Sequence, residues 1–230
     1  MFHPLDHPLE RGWVGRIEAE SVIHLAAQTL QSFFSGGGTA REHARYPLAE
    51  VRLLAPVLHP PAIRVFDDET SFEFANHAAV VGPEAAIPDG RPLALVPRVA
   101  AVLGLEGRIA GFTGFADWRR GPALPPKDRD FALGLGPVVV TPDELSGVPD
   151  VVVRTAGADS GLRTFGHGEM QTTRRRFDWE GARAFAADGT ILQPGDIIAG
   201  PAPGAVDPLE AGTEVEIEFE VIGTLRQTVR

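Results

Sequence analysis

Between Glu214 and Val221 the chain alternates without a break: Glu214, Glu216, Glu218 and Glu220 interleave with Val215, Ile217, Phe219 and Val221. A period of two sends successive side chains to opposite faces of a strand, so this segment lays its apolar set on a core and its carboxylates toward water. A helix would scatter the same residues around its circumference. The segment therefore demands a sheet covered on one face and a second layer to cover it. Like charges on one face also raise the idea of a cation site, but a solvated outer face accounts for them without one.

The rest of the chain is built from shorter pieces of the same kind. Ile63–Phe66, Leu93–Leu103, Ile109–Phe115, Pro137–Val140, Val151–Arg154 and Asp196–Ala199 read as strands separated by Gly and Pro. With 26 glycines and 20 prolines in 230 residues, turns fall at short intervals, which suits β-structure. Residues 13–60 read as a small first unit. Val22–Leu25 is its strand, Ala26–Phe34 its helix, stopped by Gly36, Gly37 and Gly38, and Arg52–Val57 a second strand. No Gly-Lys-Ser/Thr follows the triple glycine, which argues against a phosphate loop. Two further helices have marked ends. Thr141-Pro142-Asp143-Glu144 is a capping box with proline at the first helical position, and Asp178 caps Trp179–Ala187 ahead of Gly189. Many strands with few, short helices predict a β-rich α+β fold, a mixed roll or sandwich.

Composition removes several function classes. The apolar fraction of 43% supplies a sizeable core. A net charge of −10 disfavours nucleic acid, whose binding draws on Lys and Arg. The one basic cluster, Arg174-Arg175-Arg176, reads as a solvated face. With no cysteine there is no disulfide frame, thiolate nucleophile or soft metal site. The start, MFHPLDHPLERG, has no apolar h-region, and no apolar run approaches the roughly 20 residues that span a bilayer. A soluble, cytoplasmic protein with neither nucleic acid nor membrane as partner is expected.

The stretch GFTGFADW, then Lys127-Asp128-Arg129-Asp130, then Leu135 to Thr141 and Asp143-Glu144-Leu145, resembles the fumarylacetoacetate hydrolase family in order and spacing. Leu192 to Ile198, Gly223-Thr224-Leu225, Phe74-Ala75-Asn76, Val81-Gly82-Pro83 and Ile87-Pro88 are similar to it as well. The resemblance covers 61–230 and implies a catalytic domain of the family's β-roll type there, behind a small N-terminal α/β region over 1–60. It also implies a homodimer and Mg²⁺- or Mn²⁺-assisted chemistry on 2-keto or β-diketo acids. In that scheme Asp117 matches a metal ligand and Lys127 a lysine that steadies the substrate's oxyanion. Asp67 or Asp68 matches an early metal acid, Asp68 being retained as the candidate.

The chain departs from the family where a Glu-x-Glu pair should stand, since those positions hold Val96 and Arg98. Two residues apart on a strand share a face. Valine cannot ligate a metal, and a guanidinium has donors only. Arg98 and Asp117 are therefore expected to form a charge-assisted pair where the dication would have been, with no cofactor bound and Mg²⁺ or Mn²⁺ as the family alternative. Lys127 and Arg119 are the candidates to hold the carboxylate of a small keto acid. Lys127, Arg98, Arg119 and His167 are the candidate catalytic residues, His167 moving protons; His167 and Glu169 can also be a bland polar pair. The expected activity is hydrolase or lyase chemistry on C–C bonds of a keto acid. The alternatives are a non-catalytic relative that binds a small carboxylate or a partner subunit, and an enzyme completed across a dimer interface.

Overall fold

Two long antiparallel strands, Leu93–Leu103 and Ile109–Arg120, form the spine of the largest sheet. They belong to a computed structural model that describes residues 1–7, 12–88, 91–121, 123, 125–145, 147, 149–157, 161–165 and 177–230. Across this sheet the order is Ser71–Ala75, Ile63–Asp68, Ile197–Ala199, Leu93–Leu103, Ile109–Arg120, Leu133–Val140 and Val80–Val81, with Val206–Leu209 added to the Leu93–Leu103 strand. A second sheet runs Gly161–Phe165, Val151–Ala156, Glu214–Phe219, Gly223–Val229 and Ala86–Ile87. The N-terminal segment contributes a three-stranded sheet of Gly15–Glu18, Ser21–Leu25 and Glu42–Pro47, and Phe2–Pro4 pairs with Val51–Leu53. The two α-helices among the described residues, Leu30–Ser35 and Trp179–Ala187, are both short. The fold is thus a β-rich α+β roll with a small α/β appendage, and neither helix is long or apolar enough to cross a membrane.

The spine is buried on both faces, and alternation sorts its residues between two cores. Leu93, Leu95, Val99, Ala101 and Leu103 join Ala116 and Trp118 against Val151, Val153, Val215, Ile217, Phe219 and Leu225 of the second sheet. Ala100, Val102 and Phe115 face the other way, onto Val14, Ile23, Leu25, Leu30 and Val57 of the N-terminal segment. Val215, Ile217 and Phe219 are buried as period two requires. The glutamates between them lie outside, Glu216 and Glu218 meeting Arg154 at 3.1 and 2.7 Å.

Glycines set how closely the sheets approach. A Cβ at Gly114 would lie 2.5 Å from the Phe219 ring and 2.6 Å from the Gly136 carbonyl oxygen, and one at Gly134 would lie 2.6 Å from the Gln227 amide. The same contact carries a polar tie: Trp118 Nε1 donates to Gln227 Oε1 at 2.7 Å, and Gln227 Nε2 donates to the Gly82 carbonyl at 3.0 Å. The indole N–H, buried by its strand, finds its partner on the opposing sheet.

Several elements differ from their sequence-based bounds. The Ile109 strand continues through Arg120, so Asp117 sits inside it, paired across to Val96 and Leu133. Gly134 to Pro137 belongs to the Leu133–Val140 strand. The N-terminal helix starts at Leu30 because Thr29 caps it, its Oγ1 accepting from Ser32 N. After Thr141 the capping pair forms, Thr141 N and Oγ1 both donating to Glu144 Oε2 at 2.8 Å, but only a turn follows. Asp178 caps Trp179–Ala187 as expected, accepting from Gly181 N at 3.0 Å.

Since its missing side chain is what lets Phe219 and Gly136 close in, Gly114→Ala is expected to cost about 1–3 kcal/mol by overpacking. Gly121→Ala, with open space around it, should leave the urea midpoint unchanged or slightly raised. Urea denaturation of the two variants beside the parent protein checks this.

Candidate functional site

The antiparallel register sets Val96 opposite Asp117 and Arg98 opposite Phe115. Residues directly opposite share a face, as do residues two apart along a strand. Val96 and Arg98 on one strand and Asp117 and Arg119 on the other therefore crowd one patch, on the face turned toward the N-terminal core. Arg98 and Asp117 are diagonal neighbours, within reach of a long side chain. Phe115 beside them is fully buried, so the patch is walled by apolar atoms on its inner side.

Asp117 is completely buried and its carboxylate is shared by two guanidiniums. Arg119 grips it as a fork, Nε to Oδ1 and Nη2 to Oδ2, both at 2.9 Å. Arg98 Nε donates to Oδ2 at 3.3 Å. Arg98 Nη1 donates to the Phe66 and Gly200 carbonyls at 3.2 and 3.0 Å and to Asp67 Oδ1 at 2.9 Å. These carbonyls are available because the Ile197–Ala199 strand ends just before Gly200; the guanidinium fills the gap between its neighbours. Arg119 Nη1 continues the chain to Asp128 Oδ2 at 2.6 Å. Arg129 follows, its Nη2 meeting Glu73 Oε2 at 3.0 Å. Charges alternate from Asp67 through Arg98, Asp117, Arg119, Asp128 and Arg129 to Glu73, and both ends lie on the hairpin of Ile63–Asp68 and Ser71–Ala75.

The balance of this chain is uneven. Its end carboxylates, on Asp67 and Glu73, are 79% and 60% exposed and therefore screened by water. The inner part holds the guanidiniums of Arg98, Arg119 and Arg129 and the carboxylates of Asp117 and Asp128, and the two end carboxylates bring the network to four acids on three bases. Burial is the largest influence on Asp117 and raises its carboxyl pKa above the ordinary value; Arg119 and then Arg98 pull it down without cancelling that effect.

The other candidates sit apart from this patch. Lys127 is 72% exposed and its ammonium pairs with Asp130. Asp68 serves the hairpin turn, accepting from Thr70 N and Thr70 Oγ1 at 2.7 Å, which lowers its pKa; its neighbour Asp67 is the residue that reaches Arg98. His167, Glu169 and Arg174 to Arg176 lie outside the described residues. Asp128 and Arg129, which no sequence signal separated from the rest of Lys127 to Asp130, enter the network directly. The signal that could have found them is the run itself: alternating charges in a short loop that must fold back beside Arg119.

A hard dication needs oxygen donors with lone pairs to spare. Here the oxygens of Asp117 accept three N–H groups, Val96 opposite has no donor atom, and Arg98 brings positive charge. As arranged, these side chains do not fit Mg²⁺ or Mn²⁺, and no three His, Asp or Glu side chains converge among the described residues.

The family model described as fumarylacetoacetate (FAA) hydrolase C-terminal matches residues 108–230, and the chain belongs to the fumarylacetoacetate hydrolase family. Protein Rv2993c of Mycobacterium tuberculosis (strain ATCC 25618 / H37Rv) is 27% identical, over 80% of each chain. Among solved structures, maleylpyruvate hydrolase from Sphingobium sp. SYK-6 has a TM-score of 0.77 at 22% identity over 96% of both chains. It is also known in complex with manganese(II) ion and pyruvate. A 2-keto-3-deoxy-D-arabinonate dehydratase complexed with magnesium and 2,5-dioxopentanoate has a TM-score of 0.73 at 20% identity over 94% of both chains. These likenesses establish the fold and relate the chain to a family of keto-acid hydrolases, dehydratases and isomerases.

The raised pKa of Asp117 fixes the sign of one pH dependence. The folded chain holds this proton more tightly than the unfolded chain, whose Asp titrates near about 4. Stability from this group is therefore greatest at low pH and falls as pH rises through the window from about 4 up to the folded pKa. Asp117→Asn removes the titrating group and should flatten that part of the curve, as read from urea midpoints of both proteins between about pH 4 and 7.

Proposed function

We propose that this protein binds a small 2-keto acid, or a related carboxylic acid, on the patch of Arg98, Asp117 and Arg119, with guanidiniums where a family member would hold its divalent ion. The observation that carries this reading is the pair of arginines on Asp117, which takes up the oxygens of the one matching ligand and puts guanidiniums where a dication would stand. An arginine fork matches a carboxylate in shape as well as in charge. The ligand class follows from the family, and the complexes of two relatives with pyruvate and with 2,5-dioxopentanoate support it.

Within this reading Arg119 is the group that meets the ligand. It is about one-fifth exposed, whereas Arg98 is almost fully buried and tied to two carbonyls. A guanidinium there stabilises negative charge developing on the ligand's keto oxygen as an enolate forms, because Asp117 and Asp128 fix the donor in place. Lys127, one residue from Asp128 on the bordering loop, supplies a second cation, and His167 is the residue assigned to proton transfer. The chemistry is then hydrolase or lyase action beside a ketone. A second reading has one observation in its favour. The ammonium of Lys127 points to Asp130 and water, which suits a relative that holds a carboxylate without turning it over.

Titration calorimetry with pyruvate in EDTA, together with assays of acylpyruvates, oxaloacetate and 2-keto-3-deoxy acids with and without Mn²⁺, tests both. Pyruvate should bind in EDTA and weaken about tenfold or more in Arg119→Ala, the loss of a charge-assisted hydrogen bond. Metal-free turnover that falls in Lys127→Ala marks the enzyme, and binding without turnover marks the second reading. Stoichiometric Mn²⁺ binding abolished by Asp117→Ala would overturn both.

A further inference from the structure

The histidines of the N-terminal module have no part in the reading above. Of the seven in the chain, His3, His7, His24 and His43 are linked ring to ring through Trp13. Trp13 and His24 stack at 4.6 Å between centroids and 11° between planes. His43 stands 5.3 Å from His24, His7 meets Trp13 at 4.9 Å, and His3 meets His7 at 6.2 Å. Phe2 is buried edge-on to both Trp13 and His24, and two backbone hydrogen bonds of 2.8 Å tie it to Trp13. The stack therefore seats the first strand, Phe2–Pro4, on the module.

The same strand connects this stack to the spine. Ile23 and Leu25, on either side of His24 within Ser21–Leu25, are buried in the core shared with Ala100, Val102 and Phe115. Val14, beside Trp13, is buried there too, and its carbonyl accepts from Leu25 N at 2.9 Å. Neighbours along a strand point to opposite faces. Ser21–Leu25 thus carries His24 on one face and the module's hold on the spine on the other.

The carboxylates that flank the two imidazoles on adjoining strands are already engaged. Arg16 holds Glu18 at 3.0 Å and Glu42 at 2.7 Å, and Arg45 holds Glu18 at 3.1 Å. The other titratable or charged groups on the elements packed around them are His3, Asp6, His7, Glu20, Arg41, Tyr46, Glu50 and Arg52. Burial keeps the His24 pKa below the ordinary imidazole value, and His43 lowers it further. An indole face accepts one imidazolium readily. A cation on both rings is what the arrangement opposes.

We propose that His24 and His43 form an acid-sensitive latch: when both imidazoles are charged, the Trp13 stack parts and the N-terminal module loosens from the spine face that carries Arg98 and Asp117. Folding favours neutral His24, so the hold is complete above about pH 6.5 and weakens as pH falls from there to the folded pKa. This is opposite in sign to the Asp117 dependence and confined to the module. It acts whether or not a keto acid binds.

The test is amide hydrogen exchange of the full chain, read by mass spectrometry at about pH 5.5 and 7.5 and corrected for the intrinsic rate. Residues 13–25 and 42–47 should exchange about fivefold faster at the lower pH, on the order that two like charges at this separation impose near a surface. Residues 93–120 should not change. His24→Phe keeps a ring against Trp13 without titrating, and the step should vanish. His43→Gln alters an exposed side chain and spares the fold; it should shrink the step and leave exchange at pH 7.5 as in the parent protein. A parent protein without the step overturns the proposal. So does a step of unchanged size in either variant, or one that extends equally over 93–120.

Discussion

A carboxylate buried to zero exposure in the middle of a sheet is the constraint around which this molecule is organised. An ion there is costly unless it is both paired and hydrogen-bonded. Asp117 satisfies the condition with three N–H donors from two guanidiniums, and each guanidinium then needs acceptors of its own. Arg98 finds them in the Phe66 and Gly200 carbonyls, and Arg119 finds one in Asp128. The demand passes outward from residue to residue until it reaches carboxylates that water can solvate, on Asp67 and Glu73. The network runs from the hairpin edge of the large sheet to the loop before Leu133 and back, so that both its ends reach solvent on that hairpin. Pairs of this kind add little net stability, since desolvation offsets their attraction; removing one member is what destabilises.

The architecture explains why such a network can exist beside an ordinary core. One face of the Leu93–Leu103 and Ile109–Arg120 spine is apolar as far as Arg120 and packs on the second sheet, with glycines at 114 and 134 allowing close approach. That face supplies the hydrophobic stabilisation. The opposite face is apolar only over Ala100, Val102 and Phe115, where the N-terminal module covers it, and turns charged at Arg98, Asp117 and Arg119. A single pair of strands thus separates the part that holds the fold from the part that carries the charged network. Alternation along each strand keeps the two from mixing.

Much of this was legible in the sequence where a residue's own pattern decided its place. The bounds of Leu93–Leu103, the buried set Val215, Ile217 and Phe219, and the cap at Asp178 all follow from local rules. The meeting of Arg98 with Asp117 came instead from the resemblance, which put both at positions of one site. What escaped depended on partners distant in sequence. The Ile109 strand was expected to stop at Phe115, since Asp117, Arg119 and Arg120 look like a surface; their counter-charges come from 98, 128 and 130. Thr141 to Glu144 forms half of a capping box, Thr141 N donating to Glu144 Oε2, and yet makes only a turn, for caps select where a helix begins and not whether tertiary packing supports one. Asp128 and Arg129 carry no period at all, lying in a loop whose fold is set by what it packs against.

The way Arg98 is held distinguishes a substitution that the fold has absorbed from one that leaves a gap. A guanidinium placed loosely beside Asp117 would simply be a displaced surface charge. Here its Nη1 accepts the role of closing the backbone where the Ile197–Ala199 strand ends, through the Phe66 and Gly200 carbonyls, while its Nε serves the carboxylate. A carboxylate at position 98 would turn acceptors toward those two carbonyls and leave them without donors in a buried place, a conflict of the kind that costs about 1–3 kcal/mol per group. The backbone and the charge pattern therefore favour arginine together. The site has a consistent logic of its own, in which fixed guanidiniums neutralise and orient the Asp117 carboxylate by shape and hydrogen bonding.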